Sequence, residues 1–448
     1  MFHEVVGGID LAGPAPVVPF FDPCFRPAKV SMPELARSAP AARAALLATI
    51  GPSGDANIDE VVYAKTLEEL ECGWLDGPYV PEELPDDAVV SRRFGINQSS
   101  GDGMKVRLID DFSGSGVNDT VQVESAVKLH TLDVAAALCM ELLKSDCDQQ
   151  WVGKTLDLSA AYRQLGVAPG SRLVSYIAVY DPGECRPKIF AMRALPFGAS
   201  KSVYSFLRVS HSLWWLGCKS LKLVWSNFFD DYITFCRAAE SNSVAVAALQ
   251  FFRLLGWAVS SGDKDLPFSE RFKALGVEID CSKWTSGCVS FANTEKRVKE
   301  LTETIDEVLL TKRLTKQGAL VLRGRMQFAK AQLWGRAARL CLSAVTAHAY
   351  NGSGDGLGDH TLALLNVFRC HLNTARPREI TARWDVPYFL FTDASFSPDD
   401  TNWPGGIGGV LVDSSGCQIS AFSFELRPED FTALGYPASY SRLSSWRS

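Results

Sequence analysis

Apolar and polar positions along this chain fall into blocks whose period switches between helical and strand-like spacing. The first sixty residues are rich in Pro, Ala and Gly, with one helical patch, "MPELARSAPAARAALLATI", and no residue that points to chemistry. From about position 61 the pattern is denser. "TLEELECGWL" predicts a short helix, and "AVVSRRFGIN", the turn "QSSGDG" and "MKVRLIDDFSGSGVN" predict a hairpin. A helical span follows over roughly 126–145, and "GKTLDLSAAYRQLGV" then reads as a strand running into a helix, with Asp157 where the strand ends. "SYIAVYD" and "KIFAMRALP" read as strands and "GASKSVYSFLRVSHSLWWLG" as a long helix. Next come a helix, "NSVAVAALQFFRLLG", and short strands around "FKALGVEID" and "GCVSF". Residues 295–345 are mainly helical in pattern, and a new strand pattern begins near Tyr388. No internal repeat is visible, and the ββα and αββ alternations predict mixed α+β layers.

One run breaks its own apolar pattern. "LVWSNFFDDYITF", at 223–235, sets Asp230 and Asp231 between two strand-like stretches, which predicts a β-hairpin with both carboxylates at its tip. Three other Asp-Asp pairs occur, at 86–87, 110–111 and 399–400, and the first and last of these sit in Pro-rich, polar text. Adjacent like charges beside a half-buried sheet raise each other's pKa unless a cation compensates them. An ordinary acidic turn is the competing reading of the dipeptide taken alone.

Composition narrows the class. The 448 residues are 47% hydrophobic and 21% charged, enough for two or three domains with real cores. Twelve cysteines lie scattered with no C-x-x-C pair, and "MFHEVVGGID" has neither a basic nor an apolar leader pattern. Reduced thiols in an intracellular protein, cytoplasmic or nuclear, are therefore expected, and a zinc site is not. No apolar run is long enough to span a membrane. The net charge of −6 argues weakly against a nucleic-acid binder, but it hides an asymmetry. "KRLTKQGALVLRGRMQFAKAQLWGRAAR", at 312–339, carries eight Lys/Arg and no Asp or Glu. It reads either as a solvated helix face or as a helix that tracks phosphates.

Asp157 at a strand end and Asp230-Asp231 on a hairpin 73 residues later form a set of oxygen donors. Such a set suits a pair of Mg²⁺ ions, which keep positions open for substrate phosphates. Two metals about 3.5–4 Å apart can activate an attacking oxygen and stabilise a leaving one. Basic residues should then approach the phosphates, and Arg107 and Lys105 on the preceding hairpin are candidates.

The ordered set "KVRLIDDFSGSGVN", "LDLSAAYRQLGV", "ALPFGASKSVYSFLRVS", "NFFDDYITF", "LGWAVSSGDK" and "FKALGVEI" resembles the successive motifs of a reverse transcriptase. The nearest pattern is that of LTR-type and tyrosine-recombinase-type retroelements and of pararetroviruses, and it covers roughly 65–345. "LRGRMQFAKAQLWGR" resembles the segment after the polymerase core in such elements. The resemblance implies that Asp157, Asp230 and Asp231 are the metal ligands for two Mg²⁺ or Mn²⁺ ions, with Phe229 at the variable position before the pair. It implies that Arg107 contacts the incoming triphosphate and that Asp111 lies near the templating base. Tyr162 matches the aromatic gate that excludes a ribose 2′-hydroxyl; a packed core aromatic is its other reading. Lys264 matches the lysine that protonates the leaving pyrophosphate, and Leu275, Gly276 and Val277 match the primer grip.

Two positions depart from the retroviral pattern. Phe197 stands where retroviral enzymes carry Gln, and "QSSGDG" lacks the fingertip lysine. Nucleotide selection is therefore expected to lean on Tyr162. "PYFLFTDASFSPDDTNWPGGIGGVLVDSSGCQISAFSFEL" resembles the first three strands of a ribonuclease H domain, in which Asp393 matches the first metal ligand. Glu425 belongs to a strand, no convincing partner carboxylate follows, and a catalytically incomplete, poorly stable remnant is expected.

The implied architecture is α+β, a right-hand polymerase with a partial ribonuclease H-like sheet. It comprises a flexible N-terminal extension (1–60), fingers and palm (61–290), a helical thumb (291–345), a connection (346–385) and the ribonuclease H-like segment (386–448). The implied activity is primer extension with dNTPs on an RNA or DNA template. Two other readings stay open at this point. One is a degenerate retroelement-derived nucleic-acid binder without catalysis, and the other a different metal-dependent enzyme such as an RNA-templated RNA polymerase or a phosphohydrolase.

Overall fold

The computed structural model describes residues 2–100, 103–262, 265–330, 337–352, 354–382, 388–396 and 405–426. Its contacts divide the chain into two units, Met1–Leu138 with Trp151–Ser269, and Cys139–Gln150 with Glu270–Ser448.

The first unit opens with α1 (Phe2–Gly7), β1 (Asp22–Arg26) and α2 (Met32–Thr49). Ser31 starts α2 through a capping box: its hydroxyl accepts from the Glu34 amide, and the Glu34 carboxylate accepts from the Ser31 amide. The segment read as an extension sends Ile9, Leu11, Leu35 and Ala39 into the main core. Next come α3 (Ala56–Glu71), β2 (Leu75–Tyr79), β3 (Val90–Ser100), β4 (Gly103–Asp111), β5 (Val123–Ala126) and α4 (Leu132–Ser145), within which the division into units falls. Then follow β6 (Trp151–Asp157), β7 (Tyr176–Asp181), β8 (Arg186–Met192), α5 (Ser200–Leu216), β9 (Val224–Phe228), β10 (Asp231–Arg237) and α6 (Ser241–Leu254).

Five strands form one sheet in the order β2-β8-β7-β3-β4, with β3 and β7 parallel and the other neighbours antiparallel. A second, antiparallel sheet has the order β6-β10-β9, and β1 pairs with β5. Strand β10 is buried from Tyr232 to Cys236, so both its faces are covered and its apolar residues run without alternation. Leu156, Phe190, Phe206, Trp225, Tyr232 and Phe252 share the core behind this sheet. The strand entering at Trp151 does not run into a helix. Ala160 takes φ +46 and a single 3₁₀ turn, Ala161–Gln164, follows, which drives Tyr162 into the core.

The second unit contains β11 (Arg271–Ala274), β12 (Val277–Asp280), β13 (Cys288–Asn293), the helices α7 (Glu295–Thr311), α8 (Lys316–Lys330), α9 (Ala337–Asn351) and α10 (Asp359–Thr374), then β14 (Arg378–Thr381). Strands β11 to β14 pair antiparallel in chain order, so β14 returns beside β13 after the four helices. The helices share an apolar core that includes Leu301, Ile305, Leu322, Met326, Val345, Leu365 and Phe368. In α8, Leu322 and Met326 turn inward while Arg323 and Arg325 stay outside, the amphipathic division its spacing predicts. Strands β15 (Phe389–Phe396), β16 (Gly405–Val412) and β17 (Gln418–Leu426) make an antiparallel meander. No helix among the described residues is long and apolar enough to cross a membrane.

Candidate active site

Strands β9 and β10 are joined by two residues, Phe229 and Asp230. A two-residue hairpin turn needs a left-handed residue to match the twist of its strands, and here that residue is Phe229, at φ +54. For a bulky side chain this conformation costs about 1–2 kcal/mol, and such strain gathers at functional sites. Asp230 therefore lies in the turn, while Asp231 is the first residue of β10.

The register brings the third carboxylate in. Asp231 lies directly opposite Asp157 across the β10–β6 pair. Directly opposed residues project from the same face with Cβ atoms about 4.5–5.5 Å apart. The Asp230 carbonyl accepts from the Leu158 amide at 3.1 Å, fastening the turn beyond the end of β6. Ser260 holds Asp157 twice: its amide donates to the Asp157 carbonyl at 2.7 Å and its hydroxyl to Oδ2 at 2.8 Å. All three carboxylates are half-buried.

This donor set suits a hard divalent ion in kind and in backbone placement. Among the described residues, no three acidic, imidazole or thiol side chains are gathered into a metal-binding cluster.

Tyr162 is 5% exposed, stacked on Phe206 at 4.4 Å and tilted against Phe197 at 4.5 Å. Burial, with the nearby charge of Asp230 in second place, raises the Tyr162 phenol above its ordinary range. The ring is thus a packed core aromatic that feels the charge of Asp230. Phe197 is 48% exposed, so it covers one face of Tyr162 and faces solvent itself.

Arg107 and Lys105 are exposed on β4, and Arg107 donates to Gln98 across the hairpin at 3.2 Å. Asp111 ends β4, and its carboxylate accepts from the Gly114 amide at 2.7 Å. Lys264 lies outside the described residues. Leu275 and Gly276 form the two-residue turn between β11 and β12, both at positive φ, with Val277 opening β12. Arg297 donates to the Leu275 carbonyl at 3.3 Å and lies against Gly276, where a Cβ would meet its guanidinium. Asp393 sits exposed on β15, opposite Gly408, and accepts from the Ala394 amide at 2.9 Å. Glu425 lies on β17 opposite Gly406.

Two groups of residues around the site escaped the sequence reading. One is a buried ion network beside the Tyr162 turn. Arg93 binds Asp110 through two hydrogen bonds, at 2.7 and 3.0 Å, and reaches Glu69 at 2.7 Å; Arg163, next to Tyr162, also binds Glu69, at 2.6 Å. Burial works against the Arg93 charge, but Asp110 and Glu69 outweigh it and hold the guanidinium above its usual range. The Asp-Asp pair at 110–111 could have drawn notice because its text, "MKVRLIDD", is strand-like. The other group is the serines, Ser210 and Ser260, whose contacts only tertiary structure reveals.

No protein-family profile matches the chain, and no curated protein sequence matches it. Solved structures do. A foamy viral protease-reverse transcriptase in complex with an RNA/DNA hybrid superposes with a TM-score of 0.51 at 16% identity, covering 83% of this chain and 43% of that one. The same viral protein in complex with dsDNA gives 0.50 at 16% identity, covering 85% of this chain and 68% of that one. A further dsDNA complex of the foamy viral protease-reverse transcriptase, described as dRH, gives 0.47 at 17% identity, covering 80% and 54%. The chain thus spans about half the length of two of these three proteins. At this identity the likeness concerns the fold: a mixed α+β chain similar to reverse transcriptase structures.

Proposed function

We propose that this chain is an RNA-directed DNA polymerase of a retroelement, which extends a primer on an RNA or DNA template with dNTPs. The observation that carries the reading is the register of β10 on β6, which sets Asp231 opposite Asp157 with Asp230 beside it in a strained turn. Asp157, Asp230 and Asp231 would hold two Mg²⁺ or Mn²⁺ ions. When bound, such ions lower the pKa of an attacking hydroxyl and neutralise a leaving pyrophosphate.

The chain's own residues supply positioning. Ser260 orients Asp157 through its hydroxyl and amide. Tyr162, wedged between Phe197 and Phe206, would set a rigid wall against a 2′-hydroxyl, with Phe229 immediately before the acidic pair in the chain. Arg107 and Asp111 on the β3–β4 hairpin would contact the triphosphate and the templating base, and Lys264 would protonate the leaving group. Leu275, Gly276 and Val277 would grip the primer, and the basic face of α8 would track phosphates. In this reading, 61–290 is fingers and palm, 291–345 the thumb, and the β15–β17 sheet a ribonuclease H-like segment without nuclease activity.

The competing, second reading is a duplex binder without catalysis, which would use the basic face of α8 but not Asp157, Asp230 or Asp231. Purified chain given a DNA primer annealed to RNA, dNTPs and Mg²⁺ should extend the primer. Tight duplex binding with no extension in either Mg²⁺ or Mn²⁺ would establish the second reading instead.

A further inference from the structure

Both residues that bracket the Asp230–Asp231 pair are tied to one residue of α5. The hydroxyl of Ser210 donates to the carbonyl of Phe229, immediately before the pair. The hydroxyl of Tyr232, immediately after it, donates to the Ser210 carbonyl at 3.0 Å and lies 3.0 Å from Ser210 Oγ. Asn227 Nδ2 donates to the same Oγ at 3.2 Å. Ser210 and Tyr232 are fully enclosed and Asn227 is 4% exposed.

The two hydroxyl protons of this network each have an acceptor. Ser210 gives its single hydroxyl proton to Phe229, Tyr232 gives its own to the Ser210 carbonyl, and a lone pair on Ser210 Oγ receives the Asn227 amide. A serine inside a helix commonly bonds back to a carbonyl of the preceding turn. Ser210 instead spends its proton on the carbonyl of the one left-handed residue in the acidic turn.

We infer that Ser210 is a positioning residue for the carboxylates of Asp230 and Asp231. It fixes the peptide before Asp230 in the strained orientation and, through Tyr232, fixes the residue after Asp231. Without it the turn can relax toward unstrained backbone, which re-aims both side chains. This inference rests on the polymerase reading for its catalytic consequence, but its structural part stands apart from it.

The test uses the full chain with Ser210→Ala, Ser210→Thr and Tyr232→Phe, and two readouts. The first is amide hydrogen exchange across 223–237. S210A should speed exchange around the turn while leaving β3 and β4 unchanged, and S210T, which keeps the hydroxyl, should restore protection. The second is primer extension on an RNA template with Mg²⁺. A displacement of about 1 Å can cost on the order of a hundredfold in rate. S210A should therefore lower kcat about 10- to 100-fold with the dNTP KM and duplex affinity held within twofold, and should raise the Mg²⁺ concentration for half-maximal rate. S210T should recover most of the rate.

If S210A retains wild-type exchange and kcat, or if S210T fails as badly as S210A, the inference is overturned. If S210A does not fold, Y232F decides: faster exchange at the turn supports the positioning role, and unchanged exchange overturns it. Local loosening in S210A, in a chain whose wild type never extends a primer, would uphold the positioning and sink the polymerase reading.

Discussion

Two three-stranded antiparallel sheets in this molecule carry carboxylates, and they live under opposite conditions. In β6-β10-β9 the strands are covered on both faces: Tyr232 and Ile233 are fully buried and Phe235 is 1% exposed. In β15-β16-β17 the hydrogen-bond ladder is equally regular, yet Phe389, Leu390 and Phe391 are 51–64% exposed and Phe424 is 60% exposed. The first sheet opposes Asp157 and Asp231 in register, whereas in the second Asp393 faces a glycine. Strand pairing alone does not build a site. In the first sheet the strands are covered and the register brings a second carboxylate onto the same face.

The sharpest way to break this contrast is to neutralise one acid in each sheet. Asp230→Asn should reduce primer extension at least a thousandfold while leaving duplex binding within twofold, and Asp393→Asn should leave both unchanged. Extension assays and filter binding measure the pair; retained turnover in D230N would remove the metal assignment.

Truncating one ring in each sheet tests the cover directly. Phe235→Ala should cost about 3–5 kcal/mol of stability, the usual loss for an enclosed aromatic. Phe391→Ala, at a largely exposed position, should change stability by less than about 0.5 kcal/mol. Urea denaturation of both variants would show the difference, and equal losses would mean the C-terminal sheet is covered in solution.

Tyr162→Ala removes the wall beside the first sheet and should raise the use of ribonucleotides relative to deoxynucleotides at least tenfold. Unchanged sugar discrimination in competitive incorporation would leave Tyr162 as a core aromatic only.

The smallest effect concerns the flank of the hairpin. His211 stacks on Phe20 at 3.6 Å and meets His130 and Trp214 edge-on or tilted. Burial, followed by the neighbouring His130, lowers His211 to about 4, with Asn227 opposing weakly. Its folded pKa lies below its unfolded value of about 6.5, so the unfolded chain takes up the proton first. This contribution is therefore full above pH 6.5 and is lost as pH falls toward 4. For a partly exposed ring the loss should be on the order of 1 kcal/mol. The melting temperature of His211→Phe should fall less than that of the wild type between pH 7 and 4.5.

Much of this was legible in the residues. The hairpin over 90–111, the strands around 151–157 and 224–237, and the helices of 295–345 follow from periodicity and turn chemistry, as does the isolation of Asp230-Asp231 in apolar text. The helix expected after Asp157 was misread because "SAAYRQL" has helical composition, while backbone bonds from Ser159 to Ala258 and from Leu165 to Tyr162 hold it as a short turn. The helix near 32–49 was legible in the first sixty residues, but they read as a flexible extension because their Pro and Gly content hides isolated core contributors such as Ile9 and Leu11.

The sequence by itself determined which residues could do chemistry, because residue type and local period depend only on neighbours a few positions away. Tertiary structure decided that Asp157 stands opposite Asp231, that Arg93 and Arg163 compensate Asp110 and Glu69, and that Ser210 grips both sides of the acidic turn. Those facts depend on strand register and on long-range packing between segments 17 to 94 residues apart. A one-residue slip of β10 would turn Asp231 to the other face and leave every local propensity unchanged.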